Sequence, residues 1–414
     1  MKKAPSPLVS LIPIVVLVLL LFATIRTFGS DALSGGSQVS LLTTTAICIL
    51  IGMVFYKIPW KDYELAITNN IAGVATAIII LLIIGALSGI WMISGVVPTL
   101  IYYGMQIIHP SFFLASTCII CALISVMTGS SWTTIATIGI ALMGIGKAQG
   151  FEDGWIAGAI ISGAYFGDKI SPLSETTILA SSITDTPLFR HIRYMMITTV
   201  PSLIITLIIF TVAGLSHDAS NTQHIAEVAT ALNEKFHITP WLLIVPVATG
   251  ILIARKVPSI VTLFLSTLLA GVFALIFQPE LLQEISGVAV SGFHSLFKGL
   301  MMTVYGATNL HTDNAVLTDL IATRGMAGMM NTIWLILCAM CFGGAMTASG
   351  MLGSITSIFV RFMKKTVSVV GATVCSGLFL NLTTADQYIS IILTGNMFRD
   401  IYAKKGYESC LLSR

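Results

Sequence analysis

Gly163-Ala164-Tyr165-Phe166-Gly167-Asp168-Lys169-Ile170-Ser171-Pro172-Leu173-Ser174-Glu175-Thr176-Thr177 is the stretch on which the fold of this chain turns. It sets Asp168, Lys169 and Glu175 into a sequence that is apolar on its N-terminal side. Gly167 and Pro172 both disfavour a continuous helix, so Ile170 to Ser174 is predicted to be extended or re-entrant. Unwound backbone at membrane depth is tolerated only where it is buried in protein or lines a wet cavity.

The surroundings say that a bilayer is the solvent. The 414 residues are 56% hydrophobic and 9% charged, with a mean hydropathy of +0.93, against roughly 25% charged in an ordinary soluble domain. Apolar runs recur along the whole chain, among them Leu8 to Phe28, Ile71 to Ser94, Phe112 to Ile145, Ser259 to Phe277, Ile285 to Tyr305 and Thr366 to Leu380. A hydrocarbon core of about 30 Å takes about 20 such residues per helix, so the fold is predicted as an all-α, polytopic single transmembrane domain over residues 1–414. The first run, behind Lys2 and Lys3, reads as a retained helix that leaves the N-terminus in the cytoplasm. A net charge of +3 without a basic stripe argues against a nucleic-acid partner. The pairs Cys118/Cys121 and Cys338/Cys341 are C-x-x-C, but without accompanying ligands they read as packing thiols, and no cofactor is implied.

A weak internal repeat is legible. One shift of 255 positions relates Gly89, Ser94 and Gly95 to Gly344, Ser349 and Gly350, and Thr128 to Thr383. Repeat 1 is placed at about 71–193 and repeat 2 at about 326–414. Lys364 and Lys365 stand where the first half has His109 and Pro110, which predicts inverted repeats with equivalent turns on opposite faces. By the same shift the mate of Asp168 falls beyond Arg414, so repeat 2 is read as truncated at its C-terminus.

Ionisable residues inside membrane segments are functional by default. Asp168 is the first candidate for a carboxylate that holds either a proton or a cation, since a low-dielectric site favours the protonated acid near neutral pH. Glu175 and the hydroxyls of Ser171, Ser174, Thr176 and Thr177 offer the hard oxygen ligands that Na+ requires. Lys169 is a candidate charge partner. Two further breaks, Thr128 to Trp132 with Thr128 and Ser130, and Asn381 to Gln387 with Asn381, Thr384 and Asp386, interrupt helices at corresponding positions, the pattern that marks a midplane site. Asp386 could equally cap the following helix. His311 and Asp313, in the polar stretch Asn309 to Arg324, are reserve candidates.

These motifs carry a resemblance. Gly167 to Thr177 is similar to the Gly-Asp-Lys-x-Ser-Pro-Leu-Ser-Asp-Thr-Thr hallmark of the NhaC family of bacterial Na+/H+ antiporters, with Glu175 in place of Asp and Ile178 where Asn is frequent. The Thr128 break, the Arg324-Gly325-Met326 stretch and Thr384 to Tyr388 resemble that family too. The resemblance implies a multi-pass inner-membrane antiporter of the ion transporter superfamily, with inverted repeats and helical hairpins entering from both sides.

Expected substrates are therefore Na+ and H+, with membrane lipid around the chain. A homodimer stays open as an assembly. Exchange of small carboxylates such as malate and lactate is the alternative, because half-helix N-termini at the breaks could hold an organic anion. A membrane enzyme is disfavoured, since neither H-E-x-x-H nor G-x-G-D occurs. A channel would show itself as proton-insensitive, diffusion-like flux.

Overall fold

A computed structural model describes residues 5–216, 222–290, 292–308, 310, 312, 318, 321–355, 366–384 and 387–414. Among the described residues regular structure is helical, and seven helices are long and apolar enough to cross a membrane. The protein is an all-α, multi-pass membrane protein.

The helices in chain order are α1 Pro7–Phe28, α2 Gly36–Tyr56, α3 Trp60–Gly73, α4 Ala75–Ile93, α5 Val96–Ile107 and α6 Phe113–Thr128, then α7 Ser131–Thr134, which runs through a π-turn at Ile135–Gly139 into α8 Ile140–Ala148. There follow α9 Asp153–Ile170, α10 Glu175–Ile183, α11 Leu188–Ser216, α12 Thr222–Lys235, α13 Ile244–Ala254, α14 Ser259–Phe277, α15 Pro279–Ser286 and α16 Phe293–Tyr305. The C-terminal helices are α17 Met330–Ala348, α18 Thr366–Thr384, α19 Gln387–Lys404 and α20 Ser409–Ser413.

Three sequence expectations are corrected here. Gly167 does not break α9, which continues to Ile170: a Cβ at Gly167 would sit 2.6 Å from Ser125 Cβ and 2.7 Å from the Val126 nitrogen, so the glycine serves helix contact. The run from Ile285 to Tyr305 is two helices, because α15 closes on Gly287 at φ 62° and α16 starts afresh at Phe293. Between Ser216 and His237, where the sequence offers no apolar run and reads as a loop, lies α12, whose Leu232 is fully buried.

The chain forms two compact units. One comprises Met1–Ile78, Leu179–Pro187 and Met330–Arg414, the other Ile79–Ile178 and Leu188–Met329. In the first, α2 and α3 pack on α17, with Tyr63 fully buried beneath Gly52. In the second, one apolar core runs from α4 through α9 to α11–α16. Trp91 is buried there and its indole N–H donates to Ser266 Oγ at 3.1 Å.

The shift of 255 also relates local geometry. It carries α4 onto α17 end for end. Ser94 Oγ donates to Trp91 O at 3.3 Å, and Ser349 Oγ to Met346 O at 3.0 Å. Gly95 and Gly350 then adopt φ 84° and 70°, a left-handed step that glycine makes without steric cost. Further on, Gly150 and Gly406 (φ 81° and 68°) close two Schellman turns, with Phe151 N–H on Gly146 O and Tyr407 N–H on Tyr402 O, both at 3.0 Å. Their separation is 256, one more than the shift that relates Gly95 to Gly350.

Candidate ion site at two helix breaks

Residue pairings in the second unit define a helical hairpin. Gly146 of α8 lies against Phe113 at the start of α6, so the two arms meet at their base and the turn Gly129–Ser130 is the tip. Gly129 ends α6 at φ 67°, and Ser130 caps α7, its Oγ accepting from Thr133 N–H at 3.2 Å. Thr128 Oγ1 accepts from Ser130 N–H at 3.1 Å, and Thr134 Oγ1 donates to Ser130 O at 3.0 Å. Four hydroxyl residues thus hold a two-residue turn that would otherwise leave polar backbone unpaired in an apolar setting.

Helix α9 runs beside this hairpin, parallel to α6. Gly163 packs on Cys118 and Cys121, Gly167 on Ala122, Ser125 and Val126. Ser125 Oγ donates to Ala164 O at 2.5 Å, and Ser171 Oγ to Val126 O at 2.8 Å. The G-x-x-x-G spacing of Gly163 and Gly167 is the small-residue seam that lets helix backbones touch in a membrane. Against α7–α8 the same helix is antiparallel, with Ile160 at Gly139 and Ile156 at Gly146. Parallel packing with a common base brings α6 and α9 to their breaks at the same level, and a Cβ on Gly129 would lie 2.6 Å from the Leu173 carbonyl carbon.

Asp168 sits where the breaks meet. Its Oδ2 accepts from Ser131 Oγ at 3.0 Å, and Ser131 N–H and the Ser174 hydroxyl reach the same carboxylate. Ser131 is buried and Asp168 half-buried. As expected, Ser171–Ser174 is unwound between α9 and α10, and Ser171 is extended at φ −75°, ψ 129°. Thr177 Oγ1 donates to Lys169 O at 3.1 Å, and the Ser174 and Thr176 hydroxyls are hydrogen-bonded at 3.0 Å. Glu175 and Lys169 are exposed, so Lys169 acts on Asp168 through its field alone.

Of the candidates read from sequence, Thr128, Ser130, Asp168, Ser171, Ser174, Thr176 and Thr177 come together at this junction. Asn381 is exposed on α18, the side chain of Thr384 lies outside the described residues, and so do Asp386, Asp313 and His311. Ser131 escaped the sequence reading although the Thr-Gly-Ser-Ser string contains it, since only the fold across 37 positions brings it to Asp168.

In the first unit α18 and α19 pair as a second hairpin. Ser390 Oγ donates to Gly377 O at 2.8 Å, and Thr373 Oγ1 pairs with Tyr402 OH at 3.1 Å nearer the base.

Comparison with known proteins agrees with this geometry. The model of the Na+/H+ antiporter family matches residues 6–178 and 163–414. The chain is 35% identical to the Na(+)/H(+) antiporter NhaC of Bacillus subtilis, over 90% of this chain and 80% of that protein. It is 36% identical to the NhaC of Alkalihalophilus pseudofirmus, over 89% and 77%. It is also 36% identical to the malate-2H(+)/Na(+)-lactate antiporter of Bacillus subtilis, over 91% and 78%. A hairpin tip set against a broken helix, and a match across nearly the whole chain, make this chain a member of the Na+/H+ antiporter family.

Proposed function

We propose that the chain is a secondary transporter, not an enzyme, that exchanges Na+ for H+ across the bacterial inner membrane by competition of the two cations for Asp168. The observation that carries the reading is the carboxylate of Asp168 at the meeting of two helix breaks, held by Ser131 and Ser174, with Thr177 on the backbone carbonyl of the same residue. Hydroxyls that donate to a carboxylate or carbonyl keep lone pairs for a hard cation. When a proton neutralises Asp168 the cation loses the counter-charge of that carboxylate, and one site then serves both ions in turn. Glu175 and Asp386 are assigned helping roles. The charge rule for short loops puts the N-terminus in the cytoplasm, and the two repeats are taken as inverted.

The malate and lactate named for one relative support a second reading. Against it, the N-terminus of α7, the place where an organic carboxylate would dock, is already taken by Asp168 through Ser131.

Everted membrane vesicles energised to be acid inside separate these readings. Added Na+ is expected to collapse the pH gradient for the wild type and not for Asp168→Asn. A collapse that needs malate or lactate replaces Na+/H+ exchange by the carboxylate reading.

A further inference from the structure

Three sulfurs meet in the interior of the first unit. Cys48 Sγ of α2 lies 3.7 Å from Met346 Sδ of α17 and 3.7 Å from Met351 Sδ in the turn that follows, with Ser349 Oγ also at 3.7 Å. Cys48, Met346 and Met351 are fully buried, and Ser349 nearly so. The turn itself does not require sulfur. Its counterpart after α4 makes the same Ser and left-handed Gly step with Trp91 and Val96 where this one has Met346 and Met351.

A phenol stands beside the cluster. Tyr63 Oη lies over Gly52, one turn along α2 from Cys48, and within electrostatic reach of that thiol. Tyr63 is fully buried, and its hydroxyl has no hydrogen-bond partner among the described residues. A buried polar group in that state is one mark of a site that a ligand completes.

Thioethers and thiolates are soft ligands, suited to a soft cation and poorly suited to Na+. Ligands about 2.3 Å from one ion in a tetrahedral set stand roughly 3.8 Å apart, close to the three distances from Cys48. Charge decides the valence. Among the four side chains only the Cys48 thiol can supply a negative charge. A monovalent ion leaves the buried complex neutral, whereas a divalent ion would strand a charge in an apolar core.

We propose that Cys48, Met346 and Met351, with Ser349 as a weaker fourth ligand, form a binding site for a soft monovalent cation of the Cu(I) class. Binding exchanges one proton for one cation: the Cys48 S–H bond breaks, the proton leaves to solvent, a sulfur–metal bond forms and no electron moves. Tyr63 then donates its O–H to the thiolate sulfur and orients it. The bound ion pins α2 to the end of α17.

The test uses the full chain, purified in detergent and offered Cu(I) from its bicinchoninate complex under ascorbate. One Cu(I) per chain is expected to pass to the wild type and to raise its melting temperature. Cys48→Ser is expected to take none. Tyr63→Phe, which loses the group that orients the thiolate, is expected to bind on the order of ten- to a hundredfold more weakly. Met346→Leu and Met351→Leu, which conserve volume, are expected to weaken binding further still. Cys121→Ala and Cys338→Ala, each of which breaks a C-x-x-C pair, should bind as the wild type does. No uptake by the wild type, or undiminished uptake by Cys48→Ser or by both methionine variants, overturns the proposal.

A second readout needs no substitution. In protein carrying selenomethionine, copper K-edge absorption is expected to show selenium neighbours beside sulfur. A shell of sulfur alone puts the ion on other thiols and overturns the proposal.

Discussion

Gly167→Ala tests the junction most directly. The added Cβ would meet Ser125 Cβ at 2.6 Å, where carbon atoms rest at about 3.5 Å or more, so α9 must move off α6 by about 0.9 Å. That shift stretches the Ser171–Val126 hydrogen bond from 2.8 Å past useful range and strains Ser125–Ala164. Overpacking of this kind costs about 1–3 kcal/mol, and each weakened hydrogen bond about 1 kcal/mol more. The variant should therefore lose about 3–5 kcal/mol, read as thermal stability in detergent. Displacing Asp168 and Ser171 by nearly 1 Å should cut Na+-driven proton flux in proteoliposomes by about a hundredfold. Gly158→Ala is the control, since its Cβ meets Phe210 at an ordinary 3.8 Å and helix propensity favours it. If Gly167→Ala is as stable and active as Gly158→Ala, the glycine seam does not position the site.

Other outcomes follow from the same geometry. Ser131→Ala removes a hydroxyl from the Asp168 carboxylate, and a hydrogen bond to a charged group is worth about 1.5–3 kcal/mol, so KM for Na+ should rise by roughly ten- to a hundredfold in vesicle assays. Competition for one carboxylate predicts that apparent KM rises about tenfold per unit fall in pH on the acid side of its titration, while the maximal rate at saturating Na+ holds; a pH-independent KM refutes shared occupancy. Glu175→Gln, at an exposed carboxylate, should retain exchange that Asp168→Asn abolishes, as a pH-gradient assay will report. Gly52→Ala should destabilise, because its Cβ would lie 3.0 Å from Tyr63 Cζ and nearer the phenol oxygen. Tyr63→Phe should be neutral or stabilising by about 1 kcal/mol in thermal unfolding, since that oxygen is buried without a partner among the described residues.

Much of this was legible in the sequence because breaks announce themselves locally. Pro172 and the clustered hydroxyls marked the unwound Ser171–Ser174, and the Thr128 to Trp132 string marked a helix break where the hairpin tip lies. The shift of 255 showed because the turn after α4 needs Ser and then a left-handed Gly in both copies. What stayed hidden was tertiary. Gly167 read as a breaker because its partner, α6, lies 45 positions away, as Val126 and Ser171 illustrate. Helices α3 and α12 stayed hidden because they bury one narrow face each, and polar residues such as Lys61, Asp62, Glu227 and Glu234 mask it. Ser131 was passed over for the same reason as Gly167: the residue it serves is reached only through folding.

The parallel course of α6 and α9 has an electrostatic consequence. Both present their carbonyl ends at one level, each with roughly half an elementary negative charge, and α7 and α10 begin at the same junction, each N-terminus with roughly half a positive one. The four helix ends therefore largely offset one another, and the Asp168 carboxylate supplies the net charge of the candidate site. On the proposed reading, protonating Asp168 would leave the junction near neutral, so a cation would keep its hydroxyl and carbonyl ligands and lose the charge that holds it.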